Sequence, residues 1–252
     1  MSGRVLTATR LGFREQARRP LLLVLLVVLP FFFITRAIAR TEATPRRIGL
    51  PGGGEVLTTM KDLHGASMVT ITVAFLAALC GAFVMRSAQS ADRRLVVAGY
   101  RPIEAVLPRL AVLTAATALV LIVSLAVTAL SFTPASWPAF VAGNLLVGLM
   151  YACIGALAGA LLGSLGATYL VLFLAMLGIG ILQNPMFGDG TPGGLAYVLP
   201  DYGAGRVLID GAFSLGFHAW AQLGLALAWL TLLAFGVAAT LRRLLGTAAM
   251  SS

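Results

Sequence analysis

The chain has 252 residues, of which 59% are apolar and only 11% charged, and its net charge is +9. Soluble domains carry about 25% charged residues, so this composition leaves too few charges for a soluble surface. A pI near 10.8 does not mark a nucleic-acid-binding protein on so apolar a background, because basic groups in a membrane protein gather on the cytoplasmic side.

Residues 1–19 are polar and basic, and residues 20–38 form the first expected span, interrupted by Pro30. Ala37-Ile38-Ala39 offers a signal-peptidase site, but the basic region ahead of the apolar run is long, and the run reads better as the first of several spans. Residues 35–65 read as a polar loop with Pro45, Pro51 and Gly52-Gly53-Gly54, and 66–85 as the second span. Residues 86–109 form a charged connector. Beyond Arg109 no Asp, Glu, Lys or Arg occurs for 79 residues, up to Asp189. At about 20 residues per span this stretch has room for three spans, expected at 110–132, 138–162 and 167–183. Residues 183–194 are turn-rich. The segment 195–215 is only moderately apolar, carries Asp201, Arg206 and Asp210, and is expected to re-enter the membrane from the outside rather than cross it. The last expected span is 217–241, stopped by Arg242-Arg243. The fold class is therefore all-α: a single polytopic membrane domain with six spans.

Placing the N-terminus inside puts 1–19, 86–109 and 242–252 on the cytoplasmic side. These hold 12 basic residues against Glu15, Asp92 and Glu104, whereas the outside segments balance six basic with six acidic residues. The whole excess then falls on the cytoplasmic side. Lys61 is the only lysine among 18 basic residues, a skew that with abundant Ala fits a GC-rich bacterial genome.

The chemistry is marked by what is missing. No phosphate-binding G-x-x-x-x-G-K-[ST] loop and no G-x-S-x-G elbow occurs. No carboxylate pair lies near His64 or His218, and Cys80 and Cys153 sit in apolar stretches without metal-ligand spacing. No enzyme and no metal site is expected, and no cofactor in this chain. The spans themselves hold no acidic or histidine side chain at their centres, so an ion-coupled mechanism has no evident partner for its ion, and uphill transport would draw energy from another subunit.

Two cytoplasmic segments suit such a partner. In residues 4–19, Arg10, Arg14 and Arg18 recur every four residues and form one stripe of a helix, with Leu6, Phe13 and Ala17 on another side. Such a helix would lie in the membrane interface, although a plain basic anchor has the same composition. In the connector, Asp92-Arg93-Arg94-Leu95-Val96-Val97-Ala98-Gly99 reads as a short helix with a glycine stop, followed by Tyr100-Arg101-Pro102. It could dock into a cleft of a partner or be a solvated loop. Gly155, Gly159 and Gly163 share the spacing that lets helix backbones approach. Asn144, Gln183 and Asn184 are polar residues in the charge-free stretch that either line a pathway or bond helices together.

This order of elements resembles the permease subunits of type-2 ATP-binding-cassette exporters, which move drugs, polysaccharides and lipids. The resemblance spans nearly the whole chain and implies roles for its segments. Residues 4–19 would be the elbow helix, and Asp92 to Pro102 the coupling helix that touches the ATPase. Leu199-Pro200-Asp201-Tyr202-Gly203 is similar to the proline-containing part of the re-entrant helices, which singles out Pro200 and Tyr202. Where that family often has a Glu-Gly-Thr-Leu-like run, this chain has Asp92-Arg93-Arg94-Leu95. Residues 94–101 are also similar to the connector of mechanotransmission-type permeases, which have fewer spans and a large external domain that this chain lacks. The resemblance implies ABC ATPase subunits as partners, with ATP and Mg bound there, a second permease copy or a related one, and no nucleic acid. It implies a multi-pass protein of the cell membrane with both termini cytoplasmic, exporting an amphiphilic or apolar cargo such as a drug, an antibiotic or a lipid. The alternatives from the residues alone are a self-sufficient channel or secondary transporter, and a membrane-embedded enzyme.

Overall fold

A long apolar segment can leave water only if its own backbone groups pair with one another, and the helix is the local way to do so. The computed structural model describes residues 2–18, 20–97, 102–162, 164–187 and 192–250, and it is helical throughout except for one hairpin. The helices are α1 (Ser2–Ala17), α2 (Pro20–Arg40), α3 (Met60–Val97), α4 (Pro102–Thr128), α5 (Trp137–Leu161), α6 (Ser164–Ala175), α7 (Tyr202–Phe213) and α8 (Trp220–Met250). Proline opens α2 and α4 and sits in the first turn of α5, where a missing N–H costs nothing. Among the described residues, five stretches are long and apolar enough to cross a membrane: Met60–Arg86, Val106–Thr128, Trp137–Leu161, Leu165–Leu182 and Trp220–Leu244. The protein is a polytopic membrane protein. The first expected span, 20–38, corresponds to α2, which is 21 residues long but is not among those five.

Several boundaries differ from the sequence expectation. The loop expected at 35–65 is shorter, because α2 runs on to Arg40 and α3 already begins at Met60. Between them Pro45–Gly49 (β1) pairs antiparallel with Glu55–Thr59 (β2), Arg47 opposite Leu57. The turn is possible because Gly53 and Gly54 take φ of 84° and 87°, a region closed to most side chains. Ile48 is fully buried under the bundle. The connector is also more helical than expected. Asp92 to Val97 form no separate short helix but the end of α3, which is 38 residues long, and Pro102 opens α4. Gly99, Tyr100, Arg101 and Gly163 lie outside the described residues.

The centre of the bundle is the pair α3 and α5. In α3, 78% of the apolar window is buried, against 11% in α8, which lies at the rim. The α3–α5 contact is close because small residues line both sides. A Cβ at Gly155 would collide with the Ala78 backbone, and one at Gly159 with that of Ala82. The two ends of the bundle differ. At one end Val84 and Met85 of α3 pack with Val106 and Val112 of α4 and with Val237 and Leu241 of α8. There α1 lies across the start of α4, with Gly12 against Val112. At the other end stand the hairpin, the beginnings of α3, α5 and α8, and the last turn of α7.

Candidate functional site: a carboxyl buried at the foot of α7

The short helix α7 runs antiparallel to α5, and each end is tied differently. Its last-turn carbonyls, which a helix leaves unpaired, accept hydrogen bonds from the residues just before α5: Ser136 N–H to Gly211 O at 2.8 Å and Ala135 N–H to Ala212 O at 3.0 Å. Asp210 of the same turn holds the start of α8, its Oδ2 accepting from the His218 N–H at 2.6 Å and the Ala219 N–H at 3.1 Å. Leu208 lies against Gly143 one turn further along α5.

At its other end α7 begins with Asp201, only 2% exposed. An aspartate in this position ordinarily caps its own helix, but Asp201 has φ −81° and ψ −6° and makes no such bond. Both carboxyl oxygens go to other elements instead. Tyr151 of α5 approaches Oδ2, Oη to Oδ2 2.8 Å, and the Gln183 amide donates to Oδ1 at 2.8 Å. The Tyr151 hydroxyl also lies 3.2 Å from the Leu174 carbonyl of α6. At about 1.5 Å per residue, Tyr151 stands about 21 Å from Trp137 and about 15 Å from Leu161 along α5. Asp201 is thus set near the middle of a helix long enough to cross a membrane.

A local irregularity makes room for it. Beyond Ala175, α6 continues as seven residues of π-helix, Met176–Leu182, closed by the Gln183 N–H on the Gly178 carbonyl at 3.0 Å. Such wide turns are uncommon and recur at functional positions. Gly178 faces the carboxyl, and a Cβ there would stand 2.9 Å from Asp201 Oδ2 and 3.1 Å from Tyr151 Oη.

The three polar residues of the charge-free stretch belong to the same region. Asn144 is fully buried, donates to the Phe140 carbonyl at 3.0 Å and accepts from the Thr70 hydroxyl at 3.1 Å. Asn184 accepts from the Met186 N–H at 3.0 Å and lies 3.4 Å from the Ser67 hydroxyl. Gln183 is bound to Asp201. Ser67, Thr70, Gln183, Asn184 and Arg206 line a small cavity of about 20 Å³. A larger cavity of about 270 Å³ lies between α2, α3 and α6, with Leu29, Phe33, Met68, Phe75 and Met176 in its wall.

The remaining expected sites scatter. Arg10, Phe13, Arg14 and Arg18 are all exposed on α1 or just after it. Asp92, Arg93, Arg94 and Leu95 ride on the far end of α3. Pro200 precedes Asp201, and the Tyr202 ring packs at a tilt against Tyr197, centroids 4.7 Å apart. The inference that the interior offers no carboxylate is corrected here: Asp201 reaches it on a helix that is not a span. Asp201 and Tyr151 were missed as site residues, and the available signal was a tyrosine within an apolar span combined with an aspartate in the half-apolar segment after it. Among the described residues no three His, Cys, Asp or Glu side chains come together as a metal site would need. No protein-family model matches the chain, and no curated protein matches it significantly.

Proposed function

We propose that this chain is the membrane subunit of an ATP-driven exporter of the type-2 ATP-binding-cassette kind, working with separate ATPase subunits that bind ATP and Mg, and with a second permease. One observation carries the proposal: three basic segments leave the bundle at the same end. They are α1, the extension of α3 beyond Arg86, and the Arg242-Arg243 end of α8. An end that is basic and helical beyond its apolar stretches suits a cytoplasmic face built to be held by a partner. In this reading α1 is the elbow, α2 the first of six spans, the end of α3 through Pro102 the coupling segment, and α7 with Asp201 the re-entrant segment. The exposed Leu6, Leu11 and Phe13 of α1 would then rest in the lipid interface. The apolar cavity between α2, α3 and α6 would form part of the wall past which an amphiphilic or apolar cargo moves. Both termini would be cytoplasmic and the protein would reside in the cell membrane.

The test is a pull-down of the tagged chain from its native membrane in mild detergent. A stoichiometric partner carrying a phosphate-binding loop is expected, and Arg93→Glu combined with Arg94→Glu should reduce its recovery about tenfold while the bundle stays folded. A partner-free oligomer would overturn the proposal. A second reading, an ion-driven secondary transporter, is favoured by Asp201 alone. Transport by the purified chain under an ion gradient, without any ATPase, would establish it.

A further inference from the structure

We propose that Tyr151, Asp201 and Gln183 form a proton-binding site, in which Asp201 holds a proton while α7 rests against the π-helical turn and releases it to water when that contact opens.

The first ground is that, among the described residues, no compensating charge stands at the carboxyl. From α5 the site receives Tyr151, and from α6 and its π-helical turn the Leu174 carbonyl and Gln183. The titratable groups nearest along the chain, Tyr197, Tyr202 and Arg206, form a cluster of their own. The two rings meet at a tilt of 51°, and the guanidinium donates to the Gly49 carbonyl of the hairpin at 3.1 Å. The charged residues of α3 and α8 lie toward the helix ends, and Cys80 and Cys153 belong to apolar clusters elsewhere. An ionised carboxylate buried without a counter-ion is strongly disfavoured.

The second ground is the count of hydrogens. Tyr151 has one O–H and two oxygens within reach, the Leu174 carbonyl and Asp201 Oδ2. The carbonyl can only accept. If Asp201 carries a proton on Oδ2, that proton goes to the Tyr151 oxygen, the tyrosine hydrogen goes to Leu174, and the Gln183 amide serves Oδ1. Every group is then satisfied. An ionised Asp201 would take the tyrosine hydrogen itself and leave the Leu174 carbonyl to its helical partner alone.

The third ground is space. A Cβ on Gly178 would stand 2.9 Å from Asp201 Oδ2, so the π-helical turn closes over the carboxyl on that side and keeps water from it. The small cavity beyond Gln183 is large enough for a single water, and gives the proton a first stop when the seat opens. The balance is simple: a carboxylic acid becomes a carboxylate and the proton passes to water, with no bond to carbon and no redox partner involved.

The proposal does not depend on the ATPase partnership, and its test needs only the full chain in lipid vesicles. Infrared spectra at neutral pH should show one protonated-carboxyl C=O band that disappears in Asp201→Asn. Tyr151→Phe, which keeps the acid but removes its acceptor, should shift that band without abolishing it. In a chain that keeps Asp201 and Tyr151 and carries Ile179→Cys, raising the pH until the band vanishes should increase thiol labelling at position 179 at least fivefold. Loss of carboxylate rather than acid absorption in Asp201→Asn would overturn the proposal. If that variant does not fold, a band unmoved by Tyr151→Phe would overturn it equally, and labelling indifferent to pH would overturn the release of the proton on opening.

Discussion

Helix α5 meets its neighbours through two unlike seams. Toward the basic end it lies on α3 through Gly155 and Gly159, with Ala78 and Ala82 opposite, and no polar side chain intervenes. Toward α7 and the π-helical turn it presents Tyr151 to Asp201 and Gln183. The first contact owes its strength to close dispersion packing over many atoms, which has one good arrangement and loses much when the gap widens. At Tyr151 the second rests on a few directional bonds around one titratable group, which can be remade singly, whereas its far end packs closely through Gly143 and Leu208. A bundle constructed this way has a fixed spine and a flank that loosens first around Asp201.

The contrast can be broken at either seam, and the spine should be the more sensitive. Gly155→Leu puts a side chain where even a Cβ meets the Ala78 backbone. It should cost about 3 kcal/mol or more, or leave no folded protein, read as loss of monodisperse protein after solubilisation. Asp201→Leu takes the acceptor from Gln183 and the carboxyl partner from Tyr151 and should cost about 1–3 kcal/mol, seen as a lowered midpoint of thermal unfolding in lipid. Tyr151→Phe should cost about 1 kcal/mol in the same measurement, and less when added to Asp201→Leu, because the pair is then already broken. Glu55→Gln, which removes an exposed contact of 3.9 Å with Arg47 in the hairpin, should change the midpoint by no more than about 0.5 kcal/mol. If it costs as much as Asp201→Leu, the hairpin is a structural keystone and the division into spine and flank is mistaken.

The spans were legible because hydropathy over 20 residues is a one-dimensional signal. The charge-free stretch from Arg109 to Asp189 becomes α4, α5 and α6, and the glycine spacing at Gly155 and Gly159 falls where α5 meets α3. Polar loops were harder. The hairpin hides in a stretch whose strands are five residues each, too short for alternation to stand out beside Pro45 and the glycines. The continuous α3 was hidden by its own charges, since Arg86 to Arg94 ends the apolar pattern without ending the helix. The carboxyl site was illegible for a deeper reason: Tyr151 and Asp201 are 50 residues apart, and a charge scan taken span by span cannot see a residue brought inward by a neighbouring helix.

At about 1.5 Å per residue, α3 is a rod of about 57 Å that starts directly at strand β2 and ends at Val97. Its first residues are tethered to the hairpin, the Met60 N–H bonding the Thr44 carbonyl at 2.8 Å and the His64 imidazole contacting the Thr41 hydroxyl. Arg206 ties that hairpin in turn to α7. A tilt imposed at one tip of the rod therefore has to appear, inverted, at the other. An antibody fragment gripping the hairpin would act as a brake on motion of the Asp92 to Leu95 end, and a fluorophore on the hairpin would serve as a remote gauge of that motion.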